Sequence, residues 1–228
     1  MARLSIIMPV LDEGEGITGA LNALAPLRAL GVEVIVVDGG SSDATVQRAR
    51  LRADHVIVAP RGRASQMNAG AAKAQGDVLL FLHADTRLPD EAEHLVLDGL
   101  ARSDLAWGRF DVTIAGRSPL LRLVAYGMNA RSRHTGIATG DQAIFVKRAV
   151  FQQERGFPDI ALMEDVALCK RLKRVSRPLA LRQRAVTSGR RWETHGVLAT
   201  ILLMWRLRLA YFLGADPARL AQRYGYGG

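Results

Sequence analysis

Four short apolar runs recur within the first 82 residues: LSIIMPV (4–10), VEVIVVD (32–38), HVIVAP (55–60) and DVLLFL (77–82). Each is dense in Val, Ile and Leu without clean alternation, the pattern of strands covered on both faces. Segments near 15–29, 43–52 and 64–75 suit helices, the last through the Ala content of ASQMNAGAAKA. Short strands alternating with helices imply right-handed crossovers and an open parallel sheet. In such α/β sheets ligands bind beyond the carboxyl ends of the strands.

Polar residues collect at those ends. Pro9 closes the first run, and Asp12 and Glu13 follow it. The second run ends in Asp38 and the turn Gly39-Gly40-Ser41-Ser42-Asp43. Arg61, Gly62 and Arg63 follow the third, and His83, Ala84 and Asp85 the fourth. Four polar tails on one rim make that rim a ligand site. Ser41, Ser42 and Asp43 read as turn and helix-cap residues. Asp38, at the strand end itself, is placed to accept hydrogen bonds from a base or ribose. A dinucleotide fold would need G-x-G-x-x-G after the first strand, and a P-loop would need GxxxxGK[ST]; neither is present. Asp85 is a hard oxygen donor suited to Mg or Mn shared with phosphate oxygens. His83 is a second metal ligand, a diphosphate contact or a packed imidazole.

The second half is less regular. Residues 89–101 read as a helix opened by Pro89 and acids, and WGRFDVTIAG (107–116) as a strand. HTGIATGDQ (134–142) is a glycine-punctuated loop feeding the strand QAIFVK, with Asp141 at its entry. Glu164 and Asp165 open a helix carrying Val166, Leu168 and Leu172, where the dipole favours carboxylates. Either capping or general-base chemistry suits them. Arg190, Arg191 and Trp192 follow a Ser-Gly turn and could grip and shield a diphosphate. A final helix near 194–213 has a broad apolar face.

The formal net charge is +9, and residues 170–191 carry nine Lys/Arg and no acid. Such a patch is a solvated face or attracts an anion. It lacks interleaved stacking aromatics, which argues against nucleic acid. The lone Cys169 excludes an intramolecular disulfide framework. The N-terminal apolar run is short and ends in two acids, unlike a signal peptide. The expected location is cytoplasmic, with VLATILLMWRLRLAYFL (197–213) as a candidate for the inner face of the plasma membrane or for self-association.

Taken in order, IIMPVLDE, VIVVDGGSSD, GRASQMNAG, GDVLLFLHADT, ATGDQAIFV, MEDVALCKRLKR and SGRRWE resemble the family-2 glycosyltransferases of the GT-A fold, most like a small bacterial branch of unassigned substrate. The resemblance covers most of residues 4–193. It implies a GT-A-like, mostly parallel sheet flanked by helices, with one catalytic domain over 1–193. Residues 1–88 would form the nucleotide-sugar half and 89–193 the acceptor half, with a C-terminal amphipathic helix and tail over 194–228. It also implies inverting transfer from a nucleoside-diphosphate sugar to a hydroxyl acceptor, assisted by Mn or Mg. Asp38 matches the base-binding carboxylate and Arg63 the basic donor-loop residue. Asp85 matches the last Asp of D-x-D, and Asp165 matches the catalytic Asp, with Glu164 beside it. Arg191 and Trp192 match the R-W end of Q-x-x-R-W. The chain departs in having His83-Ala84-Asp85 for D-x-D and Gly189 where Gln would stand. The apolar terminal helix points to a lipid-linked acceptor. A sugar nucleotidyltransferase and a non-catalytic nucleotide-sugar-binding protein are the alternatives.

Overall fold

The computed structural model describes residues 3–225. The four apolar runs form the strands β1 (Leu4–Val10), β2 (Glu33–Asp38), β3 (His55–Val58) and β4 (Val78–Phe81). They pair in parallel in the order β3-β2-β1-β4. The connecting helices are α1 (Ile17–Ala23), α2 (Ala25–Ala29), α3 (Thr45–Arg50) and α4 (Arg63–Lys73). Both faces of the strands are covered, which is why their sequences do not alternate. Ile6, Met8, Val34, Val36 and Leu80 pack with Ile17 and Leu21 on one side. Ile7, Ile35, Val37 and Leu79 pack with Ala64, Met67 and Ala71 on the other.

The second half extends the same sheet. After β5 (Thr86–Arg87) come α5 (Ala92–Ala101), β6 (Trp107–Ala115), α6 (Leu120–Thr135), a 3-10 turn at Gly140–Gln142, β7 (Phe145–Lys147), α7 (Arg148–Gln153), α8 (Glu164–Val175) and β8 (Leu179–Ser188). The full strand order is β3-β2-β1-β4-β7-β6-β8-β5, with β7 antiparallel to β4 and β6, and β5 antiparallel to β8. The open, mostly parallel sheet expected from the sequence is therefore present. The chain ends in α9 (Arg190–His195), α10 (Val197–Phe212) and α11 (Pro217–Tyr224).

Three local expectations need correction. The strand expected over QAIFVK starts only at Phe145, because Gly140–Gln142 form a 3-10 turn and Ala143 takes a positive φ of 46°. The single terminal helix is broken at Gly196, whose φ of 81° interrupts it between α9 and α10. The basic run 170–191 is not one helical face: Lys170, Arg171, Lys173 and Arg174 lie on α8, Arg182 and Arg184 on β8, and Arg190 and Arg191 on α9. Within β8 a bulge leaves Phe110 paired with Leu181 but Asp111 with Arg184.

Candidate active site

The topology brings six chain segments to one rim. The parallel strands β1 to β4 end there. Because β7 runs against β4, its entry loop lies at the same rim. Because β8 runs with β6, its exit into α9 does too. A small cavity of about 70 Å³ opens there, lined by Pro9, Glu13, Arg63, His83, Ala84 and Asp85. Five of these six side chains are site residues expected from the sequence. The cavity is far below the roughly 300 Å³ of a small-molecule pocket. It is large enough for an ion and its phosphate oxygens, so a bound nucleoside would lie along the open strand ends.

Two carboxylates face this cavity. The Glu13 backbone N–H donates to Thr45 Oγ1 at 2.8 Å, which fixes the loop, and Arg190 Nη2 stands 3.7 Å from Glu13 Oε1. Burial pushes the Glu13 carboxyl above its usual range; Arg190 opposes that, and the charge of Asp85 adds to it. Asp85 is exposed, with the Thr86 hydroxyl 3.3 Å from its Oδ1. Among the described residues no three His, Cys, Asp or Glu side chains gather as a closed metal cage. The donor set instead suits an open site, in which one or two carboxylates hold Mg or Mn and phosphate oxygens complete the shell. Mutual repulsion of Glu13 and Asp85 is what a divalent cation would relieve. Arg63, the first residue of α4, carries its charge toward Glu13, Asp141, Glu164 and Asp165.

The loop before β7 connects this cavity to α8. His83 Nδ1 lies 3.3 Å from Asp141 Oδ1. Burial pushes Asp141 up, but the hydrogen bond and charge of His83, with Arg63, hold it below its usual range. The His83 ring packs so closely on Gly140 that a Cβ there would collide with it. Gly140 N–H donates to Asp165 Oδ2 at 3.0 Å, and Val166 N–H donates to Asp165 Oδ1 at 2.7 Å. Glu164 is buried. Burial and the adjacent Asp165 push its carboxyl up to about 7. Burial also raises Asp165, against the two backbone hydrogen bonds and Arg63. Met163 enters the helix with a φ of 70°, a left-handed conformation costly for a side chain this bulky.

Other expected residues make contacts within the fold. Asp38 is buried, and its carboxylate accepts hydrogen bonds from Gly40 N and Ser41 N, both 2.9 Å, and from the Ser41 hydroxyl. Asp12 takes a φ of 49°, and its Oδ1 accepts from Ser42 N at 2.8 Å, tying the β1 and β2 loops together. Arg191 stacks 3.7 Å from the Tyr224 ring centroid and donates to Tyr224 O at 2.6 Å. Trp192 packs against the cluster of Ile114, Leu121 and Ala125.

Several residues that matter carried little signal. Gln66 Nε2 donates to Val10 O and Val37 O at 2.9 and 2.8 Å, holding α4 against the strand ends. Arg131 has buried Nε and Nη2 atoms; burial depresses its guanidinium, and the charge of Asp165 opposes that. Arg109 is fully buried on Asp111, which also accepts from Arg133 at 2.6 Å. The charged pair inside WGRFDVTIAG was the available signal for that triad. A larger cavity, about 530 Å³, opens at the opposite rim between α5 and α7, lined among others by Asp77, Lys147 and Arg148. It holds one carboxylate and no histidine, so its size does not make it the reacting site.

The family model described as Glycosyl transferase family 2 matches residues 5–151. A curated relative, "Probable glycosyltransferase YdaM" of Bacillus subtilis (strain 168), is 26% identical over 94% of this chain. The chain spans 55% of that relative's length. Staphylococcus aureus TarS 1–349, solved with UDP, is similar at a TM-score of 0.67 and 19% identity, over 82% of this chain and 60% of that one. The mannosyltransferase PcManGT from Pyrobaculum calidifontis, solved with GDP-Man and Mn2+, is similar at 0.65 and 21%, over 99% of this chain and 69% of that one. These likenesses give the fold as that of the GT-A glycosyltransferases. With the family model matching well over half its length, the chain belongs to glycosyl transferase family 2.

Proposed function

We propose that this protein moves a sugar from a nucleoside-diphosphate sugar to an acceptor hydroxyl, with inversion at the anomeric carbon. The observation that carries the reading is the cavity lined by Glu13, Arg63, His83 and Asp85, joined through Gly140 and Asp141 to Asp165. The similar structures solved with UDP, and with GDP-Man and Mn2+, support a donor of this class and a divalent ion. Residues 1–88 form the donor half and 89–193 the acceptor half.

Asp165 takes the proton from the acceptor hydroxyl as its oxygen bonds to the anomeric carbon. The bond from that carbon to the diphosphate oxygen breaks, and the nucleoside diphosphate leaves with the electron pair. Gly140 N–H and Val166 N–H hold the Asp165 carboxylate in one orientation. Asp85, with Glu13 beside it, would hold Mn or Mg, which supplies charge to the leaving diphosphate. Arg63, which lines the cavity, and Arg190, beside Glu13, would neutralise the same oxygens. His83, tied to Asp141, positions the loop between the leaving group and the base. A charge-stabilised diphosphate needs little protonation, so no acid is required on that side.

The test follows nucleoside diphosphate release across a donor panel and reads the anomeric configuration of the product by NMR. Inverted product, and a turnover drop of roughly 100-fold in Asp165→Asn with donor binding kept, are expected. Retained configuration, or normal turnover in that variant, contradicts the mechanism.

A further inference from the structure

Helix α10 is apolar on both of its faces. Leu207 and Thr200 are buried, and Leu203, Ala210 and Tyr211 pack with Leu162, Met163 and Val166 beside the start of α8. The outer face presents Leu198, Leu202, Trp205, Leu209 and Phe212, between 55% and 70% exposed. They recur at alternating spacings of four and three, so they form one stripe about 80° wide. A stripe of this length is not left to water by a protein without a partner for it.

Charge decides what covers it. Arg206 and Arg208 stand about 80° to either side of the stripe's centre. Lys170 Nζ lies 4.6 Å from the Phe212 ring centroid at one end. No acidic residue occurs between Glu193 and Asp216. In a paired-helix seam Arg206 and Arg208 would occupy the two flanking positions, where opposite charges are needed. A second copy would bring arginine against arginine. An anionic surface matches the same pattern of Trp, Phe and Leu edged by cations. Among the described residues no helix is long and apolar enough to cross a membrane, so the contact is a lateral one.

We infer that the outer face of α10 docks on an anionic lipid surface, with Trp205 at its centre and Arg206, Arg208 and Lys170 at its edge. The inner face of α10 rests on Leu162, Met163 and Val166. Docking would hold the Glu164–Asp165 segment about one helix diameter, roughly 10 Å, from the lipid headgroups. That suits an acceptor hydroxyl carried on a lipid, a consequence that rests on Asp165 being the base.

The full chain is tested by co-sedimentation with phosphatidylcholine vesicles and with vesicles containing phosphatidylglycerol. Tryptophan emission is followed as well. Trp205 is the exposed tryptophan, whereas Trp107 is buried and Trp192 packed, so a blue shift reports on the stripe. Binding to the anionic vesicles alone is expected, falling as salt rises. Arg206→Gln/Arg208→Gln should weaken it roughly 30-fold. Trp205→Ser/Leu209→Ser should abolish it while nucleotide-sugar binding persists. The inference is overturned if the folded protein ignores anionic vesicles, or if both variants bind as the parent does. A concentration-dependent dimer lost in Trp205→Ser/Leu209→Ser overturns it too, by making the stripe a seam between copies. Lipid binding is read without catalysis, so its failure is distinct from failure of the transferase reading.

Discussion

Asp165 Oδ2 accepts the backbone N–H of Gly140 at 3.0 Å, which makes the start of α8 and the loop before β7 one unit. Gly140 also lies against the His83 imidazole, leaving no room for a side chain. One glycine thus spaces the carboxylate of α8 from the residues that follow β4.

Gly140→Ala is expected to displace His83 and to loosen the hydrogen bond to Asp165. Misplacing reacting groups by about 1 Å costs on the order of 100-fold in rate. The expected outcome is a turnover loss of that size with a melting temperature near the parent's. Steady-state kinetics with a thermal melt checks it, and unchanged turnover would mean the loop does not position the base.

Glu164 gives a pH signature. Its folded carboxyl is raised from 4.5 to about 7 by burial and by Asp165. The folded state therefore holds a proton that the unfolded state has lost, and stability falls as pH rises from about 4.5 to about 7. Glu164→Gln should remove that fall, with a gain on the order of 2 kcal/mol at pH 8. It should leave the acid limb of the rate profile in place, because Glu164 is already uncharged below about 7. Denaturant melts at pH 5 and pH 8, with a pH–rate profile, decide this.

Asp111 is the counter-charge of the fully buried Arg109 and also accepts from Arg133. Removing it strands a buried guanidinium, at about 3–5 kcal/mol. Asp111→Ala should therefore melt far below Arg133→Gln, since Arg133 is the more exposed of the two arginines and its loss should cost about 1 kcal/mol. Equal melting temperatures would show that the triad contributes no such stabilisation.

Gly70 sits where α4 meets the sheet, and a Cβ there would press on Ile7 and Val37. Gly70→Ala is expected to destabilise by about 1–3 kcal/mol through overpacking. A melt no lower than the parent's would show that α4 has room to shift.

The sheet's first half was legible because runs such as VEVIVVD and DVLLFL have one reading once both faces are buried. The polar tails were legible for the same reason: Glu13 and Asp85 interrupt apolar strands at their ends. β8 was not, because Arg182, Gln183 and Arg184 are exposed near the sheet edge and continue the basic run that begins on α8. Asp38 makes contacts that its motif does not disclose. Its position at a strand end says nothing of the Gly40 and Ser41 amides that close on it. Arg131 was invisible, since the Asp165 charge that acts on it lies more than thirty residues further along the chain.

The most direct test of the account is titration of a panel of nucleoside diphosphates and their sugars, with and without Mn, into the parent and Asp85→Ala. Binding that requires Mn and falls at least tenfold in Asp85→Ala is expected if, as proposed, the carboxylates at the rim hold the ion that holds the diphosphate. Equally tight binding without Mn, or in the variant, would contradict the assignment of Asp85 and with it the site as a metal-assisted donor cleft.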